Sequence, residues 1–169
     1  MTLRPITNND VAALTELYRA VAAVPGGLAR LEREISDDYV AGAVSAVVAS
    51  GIGVVAEDTE GITGVIHARS PGLFCFSHVL NDLTIAVHPR AQGKGVGRQL
   101  FERFMRAVRA RDALLRVELV VRESNRKAIA FYESLGFKRE GVFAERIRNL
   151  DGTLEADIPM AWTRTGRKT

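Results

Sequence analysis

Apolar residues recur at two different spacings along this chain, and each change of spacing marks a change between strand and helix. The pattern predicts a short strand at 2–5, a helix near 8–23, and a second helical region from 28 to about 49 containing a break, where Ser36-Asp37-Asp38 offers a cap for the second half. Strands follow near 52–57 and 62–69, joined through the hairpin-turn sequence Asp58-Thr59-Glu60-Gly61. A strand at 79–88 leads into a helix at 95–112, and a strand at 115–122 into a helix at 125–135. Two last strands, near 138–149 and 154–163, flank Asp151-Gly152, a further hairpin signal. This mixed order predicts an α/β fold.

Two of these segments carry more than secondary structure. Leu83-Thr84-Ile85-Ala86-Val87 alternates large apolar side chains with small ones and is stopped by His88-Pro89, as a buried strand with a defined end would be. The helix that follows is two-faced. At about 100° per residue, Arg98, Arg103, Arg106 and Arg109 fall opposite Gly97, Leu100, Phe101, Phe104 and Val108. The arginines read as a solvated face, because no aromatic residues interleave with them to stack bases.

Composition narrows the class. The 169 residues match one domain, since domains run roughly 100–200 residues. A content of 47% hydrophobic and 25% charged residues, without repeats or low-complexity tracts, is that of a soluble globular protein. The start Met1-Thr2-Leu3-Arg4-Pro5 has no apolar core of a signal peptide, and no apolar run approaches the 18 or so residues of a membrane span. A cytoplasmic protein without membrane or nucleic-acid partners is therefore expected, despite a net charge of +3 and a pI near 9.3. The single cysteine, Cys75, precludes an intramolecular disulfide or a cysteine-based metal cluster and reads as a buried apolar filler. No metal site is expected.

Candidate chemistry centres on Gln92-Gly93-Lys94-Gly95-Val96-Gly97-Arg98, between the strand and the arginine-studded helix. Three glycines let consecutive backbone N–H groups approach an anion while the helix contributes the positive end of its dipole. The segment is not the Walker phosphate loop, which needs Lys-Ser/Thr after its last glycine, and it lacks the dinucleotide GxGxxG spacing. Downstream, Ser124-Asn125-Arg126-Lys127-Ala128-Ile129-Ala130-Phe131-Tyr132 reads as a capped helix, stopped at Gly136-Phe137.

Together these segments resemble the GCN5-related N-acetyltransferase (GNAT) superfamily. Its first motif, Gln/Arg-x-x-Gly-x-Gly/Ala, corresponds to Gln92 through Gly97, and its second, Asn then Ala-x-x-x-Tyr then Gly-Phe, to Asn125, Ala128, Tyr132 and Gly136-Phe137. The resemblance is strong over residues 81 to 140. It implies a single domain over 1–169, with acceptor-side elements in 1–75, an acetyl-CoA-binding core in 79–140 and C-terminal strands in 141–164. It also implies a central mixed twisted sheet of about seven strands flanked by helices, whose fourth and fifth strands splay to admit a pantetheine arm. Backbone groups of Ile85, Ala86 and Val87 would then pair with the pantetheine amides, Gly93, Lys94, Gly95, Val96, Gly97 and Arg98 would wrap the pyrophosphate, and Asn125 and Ala128 would touch the cofactor. Asn125 reads equally as an ordinary helix cap.

By the same resemblance the activity is acetyl transfer from acetyl-CoA directly to a primary amine, with Tyr132 as the acid that protonates the leaving thiolate. Tyr132 also reads as an interior helix tyrosine packed beside Ala128 and Leu135. The base is less defined. Relatives that acetylate protein N-termini often carry a glutamate five residues before the motif asparagine, and Val120 stands there. Asp82, where many relatives have a carboxylate, is the first candidate; His78, Glu118 and a water relay are alternatives, while His67 and His88 read as strand-end residues. Acceptor recognition is expected from 24–30 and from the terminal hairpin with Arg148 and Asp151. A small-molecule amine is the leading acceptor. A protein N-terminus or lysine, or a non-catalytic acyl-CoA-binding regulator, is the alternative, and a homodimer is an allowed assembly.

Overall fold

The computed structural model describes residues 1–24, 28 and 30–164. In chain order they form β1 (Thr2–Pro5), α1 (Val11–Ala22), α2 (Asp37–Ser50), β2 (Gly51–Asp58), β3 (Gly61–Arg69), β4 (Val79–Val87), α3 (Val96–Arg109), β5 (Arg116–Arg122), α4 (Arg126–Ser134), β6 (Lys138–Arg139), β7 (Phe143–Arg148) and β8 (Leu154–Thr163). One sheet holds all the strands in the order β1-β2-β3-β4-β5-β8-β6, with β7 also on β8. Neighbours are antiparallel except β4 and β5, which are parallel.

Helices cover both faces. On one side α1 and α2 bury Leu14, Leu17, Val40 and Val44 against Val55, Val65 and Ala86. On the other, Leu100, Phe101 and Phe104 of α3 and Ile129 and Tyr132 of α4 pack on Ile66, Leu80, Leu83, Val117 and Leu119. Each fully buried Leu or Phe stabilises the fold by roughly 1.5–3 kcal/mol. The two faces of α3 fall as their spacing predicts: Arg98, Arg103, Arg106 and Arg109 are exposed, Leu100, Phe101, Phe104 and Val108 buried.

Three expectations need correction. The helical region predicted from 28 is helical only from Asp37, after a single 3-10 turn at Glu32–Glu34; Ser36 does cap α2, its Oγ accepting from Tyr39 N at 3.1 Å. The strand predicted over 138–149 is two strands, which raises the total to eight. Both run along β8 and part opposite Pro159, which accepts from Glu140 N at 2.9 Å but has no N–H to return, so the ladder breaks there. Cys75 is exposed. It sits in a 3-10 turn between β3 and β4 that sends its three side chains in different directions and buries none, Phe74 being 92% exposed.

The parallel pair is what shapes the site. β4 and β5 pair only at Val79↔Arg116 and Leu80↔Val117, and the closed end is pinned by Leu115 N and Arg116 N donating to the His78 carbonyl at 2.9 and 3.2 Å. Beyond Leu80 the strands diverge. Asp82, with φ of 53°, sits in a bulge that shifts the β3–β4 register between His67 and Arg69. The far end of α3 is tied down by Arg164, whose guanidinium donates to the carbonyls of Val108, Arg109, Arg111 and Leu114 at 3.1–3.3 Å. Replacing Arg164 by Met should lower unfolding stability by about 1.5–3 kcal/mol, the worth of hydrogen bonds to a charged group. Denaturant titration measures this, and an unchanged midpoint would assign the helix end to packing alone.

Candidate functional site

Divergence leaves one edge of β4 without a partner strand. Backbone groups of successive strand residues point alternately to either side, and His88 N donates to Thr63 O of the β3 side at 2.9 Å. By alternation Ala86 also faces β3, and its carbonyl lies 3.1 Å from where a Cβ on Gly64 would be. Ile85 and Val87 therefore present their N–H and C=O groups to the gap. This narrows the expected trio, because the Ala86 backbone is already paired with Val65. The Val87 carbonyl takes the side-chain amide of Gln92 at 3.2 Å, which leaves its N–H free.

The cradle follows at the mouth of the gap. Gly93 and Gly95 have φ of 73° and 78°, a left-handed conformation that costs L residues roughly 1–2 kcal/mol. Gly95 is the N-cap of α3, and the first bond of the helix runs from Gln99 N to Gly95 O at 3.1 Å, so the N–H groups of Val96, Gly97 and Arg98 precede it and remain available to an anion. Gly97 differs. It is helical, and a Cβ there would make only ordinary contacts with Val87 Cγ2 at 3.6 Å and Ile85 Cδ1 at 3.9 Å. Neither backbone conformation nor internal packing explains glycine at 97. Val96 is buried, Lys94 exposed, and Arg98 holds its guanidinium 5.8 Å from the Phe131 ring, bridging α3 and α4.

On α4, Asn125 is a cap: its Oδ1 accepts from Ala128 N at 3.1 Å, leaving the amide N–H groups to project from the helix start. Tyr132 is buried among Phe101, Phe131 and Phe137, with ring centroids 5.8–6.2 Å away. Burial pushes its hydroxyl up to about 12 from 10, so it keeps its proton throughout the neutral range.

On the opposite face the bulge opens onto a cavity of about 670 Å³ lined by Asp82, Thr84 and Val120, with His67, Asp38 and Tyr39. Asp82 is not a free base. Both Nε and Nη2 of Arg69 donate to its Oδ2, at 3.0 and 2.6 Å. Glu118 accepts from Arg116 Nε at 2.5 Å, His78 stands at the strand fork outside the cavity lining, and His88 Nδ1 accepts from Arg90 N at 3.2 Å. Val120 is 47% exposed on the cavity wall. A second cavity of about 540 Å³ shares Arg30 with the first and adds Arg122, Arg146 and Arg148. The predicted acceptor segment 24–30 lies partly outside the described residues, at 25–27 and 29. Asp151 is used within its own turn by Thr153, which holds its carboxyl below the usual range.

Residues 49–139, which contain the fork, the cradle and α4, match the model of the acetyltransferase (GNAT) domain. The chain belongs to the GNAT family. Within the GNAT fold, it superposes on a putative acetyltransferase from Salmonella typhimurium with its cofactor acetyl-CoA (TM-score 0.85, 22% identity, 100% of this chain and 96% of that one). It also superposes on a phosphinothricin acetyltransferase from Sinorhizobium meliloti in complex with acetyl-CoA (TM-score 0.82, 22% identity, 96% and 87%). Over 61 residues the chain is 44% identical to the mycothiol acetyltransferase of Beutenbergia cavernae, a match covering 36% of this chain and 20% of that protein.

Two polar features of this GNAT domain escape the sequence pattern. Asn81 Oδ1 is buried without a hydrogen-bond partner among the described residues, at the point where β4 leaves β5. His67 is buried on the cavity wall, with Nε2 2.7 Å from the Tyr18 hydroxyl, a contact spanning 49 residues that no local motif announces. The cradle makes a sharp prediction for folding. Gly95→Ala should destabilise by about 1–2 kcal/mol for its left-handed conformation, whereas Gly97→Ala should leave the ligand-free fold unchanged or up to about 1 kcal/mol more stable, as alanine is the better helix former. Equal losses in thermal unfolding would mean that Gly97 is there for the fold.

Proposed function

We propose that this GNAT domain is an acetyl-CoA-dependent N-acetyltransferase that transfers the acetyl group directly to a primary amine of a small molecule or amino acid. The observation that carries the reading is the glycine at 97: a residue the fold does not need, in the first turn of α3, beside the free edge of β4. A ligand pressed against that helix start is the remaining reason to forbid a Cβ. The acetyl-CoA named with two of the similar structures, and the small-molecule acceptors in the names of the mycothiol and phosphinothricin enzymes, support the same reading. Val120 in place of a carboxylate counts against a protein N-terminus as acceptor.

Acetyl-CoA supplies a thioester carbonyl open to attack by an amine and a thiol as leaving group. The N–H groups of the Gly93–Arg98 turn and of the α3 terminus hold the pyrophosphate, aided by the charges of Lys94 and Arg98. Ile85 and Val87 align the pantetheine arm along β4 as a partner strand would, and the projecting amide of Asn125 contacts it from α4. The free N–H of Val87 stands ready for the oxygen on which negative charge develops. Tyr132 donates its hydroxyl proton to the departing sulfur. Asp82 is paired with Arg69, so Asp38 is the carboxylate of the acceptor cavity left to face an ammonium group.

Coenzyme A should raise the melting temperature as RT ln(1 + [L]/Kd) requires, and Gly97→Ala should weaken that binding at least about tenfold, or 1.4 kcal/mol, with its own fold intact. A flat melting temperature in saturating coenzyme A would sink the reading. Tyr132→Phe should cut turnover by about 10²–10⁴-fold, the usual worth of a positioned acid, with cofactor affinity little changed. Its effect on stability has a definite sign. An unfolded tyrosine ionises near 10 and the folded one near 12, so the unfolded state binds fewer protons between those values and stability falls there as pH rises. Below pH 10 the term is constant. Alkaline unfolding between pH 10 and 12 should be less steep in Tyr132→Phe; identical slopes would contradict the burial of the hydroxyl.

A further inference from the structure

The acceptor cavity holds a polar group that the proposed function does not use. His67 on β3 pairs in register with Thr84 of β4, and its ring points away from α3, toward α1, where Nε2 meets the Tyr18 hydroxyl at 2.7 Å. The rings meet edge-on, 6.5 Å between centroids. Nδ1 has no hydrogen-bond partner among the described residues, yet it is not among their sealed unpartnered atoms, which are Asn81 Oδ1 and Arg122 Nε. With Nε2 taken up by Tyr18, Nδ1 is the ring nitrogen left to the 670 Å³ cavity that His67 lines. The same cavity is bounded by Thr84 and by Val120, the two sides of the strand gap.

We propose that His67 Nδ1, in the tautomer whose Nε2–H donates to the Tyr18 oxygen, is the group that takes the proton from the acceptor amine. The inference rests on the acetyltransferase reading above. In the step, an N–H bond of the bound ammonium breaks and its proton goes to the Nδ1 lone pair. The electron pair stays on the amine nitrogen and forms the bond to the acyl carbon as the carbonyl pair moves to oxygen. When that pair returns the C–S bond breaks, and the sulfur takes the Tyr132 proton. The second N–H proton replaces it on Tyr132 through water, and the imidazolium gives its own proton to water through the cavity mouth. Nε2–H donates to the Tyr18 oxygen before and after the transfer, so the ring keeps its orientation.

The groups around the imidazole suit this exchange. Facing it are Tyr18 from α1, Asp38 and Tyr39 from α2, Arg69 from its own strand, Asp82 from β4, and Arg30, which stacks 3.9 Å over the Tyr39 ring. Arg69 is paired with Asp82. Burial lowers His67 to about 4 from 6.5, opposed by the Asp82 charge, so the ring is neutral at physiological pH and does not repel an incoming ammonium. A low basicity does not defeat the transfer. One positive charge is in the cavity before the step and one after it, so the desolvation that penalises imidazolium penalises the bound ammonium as well. Of the two carboxylates considered from sequence alone, Asp82 and Glu118, both are in ion pairs, and position 120 is a valine; His67 is the uncharged acceptor on the cavity wall, beside the carboxylate of Asp38.

The test uses the full chain with an accepted amine, chemistry rate-limiting, from pH 5.5 to 9. Wild type should retain turnover below pH 7, where the free amine is protonated. His67→Gln keeps a polar contact to Tyr18 but has little basicity, and should lose about 10²–10⁴-fold at pH 6, its kcat/KM rising tenfold per pH unit toward the amine pKa. Tyr18→Phe should lie between the two, and added imidazole should restore part of the activity of His67→Ala. Coenzyme A should bind all variants with unchanged affinity, which separates a chemical role from a structural one. Nitrogen-15 shifts should report Nδ1 unprotonated. Superimposable pH profiles for wild type and His67→Gln, or a protonated Nδ1, would overturn this inference while leaving the acetyltransferase reading intact. No turnover by wild type with any amine, despite coenzyme A binding, would overturn both.

Discussion

Everything in this domain depends on one withheld set of hydrogen bonds. Two parallel strands that start paired at Val79 and Leu80 come apart, and the backbone groups of Ile85 and Val87 face a space with no strand in it. Buried backbone polar groups are nearly always paired, so such an edge is either an expense or a binding surface. The surrounding architecture keeps it open. Leu115 and Arg116 bond the His78 carbonyl and close one end, the bulge at Asp82 bends β4, and β8 runs against the whole length of β5 and holds it away. The fork is thus built from backbone geometry, and what it presents to the gap is backbone.

The two helical layers then divide the labour. One offers a helix start, the positive end of a dipole and a protonated phenol packed in aromatic rings. The other offers carboxylates in ion pairs, a neutral imidazole and a roomy cavity. The sheet keeps these apart, and the gap is the passage between them. A path from the α3 and α4 side to the α1 and α2 side leads from a helix start with unpaired N–H groups to a cavity lined by carboxylates and an imidazole. That polarity is what transfer to an amine needs.

How much of this was legible beforehand depends on range. Gly93, Gly95, the Asn125 cap and the arginine face of α3 announce themselves because their geometry is set within one turn of chain, whereas Tyr132 stands out only through the family resemblance, its ring being packed by Phe101 of another helix. The cap at Ser36 was equally local. What the spacing missed is non-local or a matter of a single absent atom. The Tyr18 contact with His67 joins residues far apart in the chain, and a lone histidine on an apolar strand looks the same whether it faces a helix or a cavity. The pairing of Asp82 with Arg69 depends on a bulge that alternation cannot foresee, since alternation assumes there is none. The break between β6 and β7 comes from the missing N–H of Pro159 on the facing strand. Cys75 misled because a lone cysteine is usually buried, whereas this one sits in an exposed turn.

Arg164 gives the site a mechanical character. It follows directly on β8 and grips the last carbonyls of α3, the helix whose first turn forms the cradle. Because β8 also flanks β5, the far end of the cradle helix and the far wall of the gap are fastened to the same strand. The same helix lies along β2, β3 and β4 for most of its length, so a single rod rests on one side of the gap and is pinned at its end to the other, and the width of the fork is set by a brace that spans both.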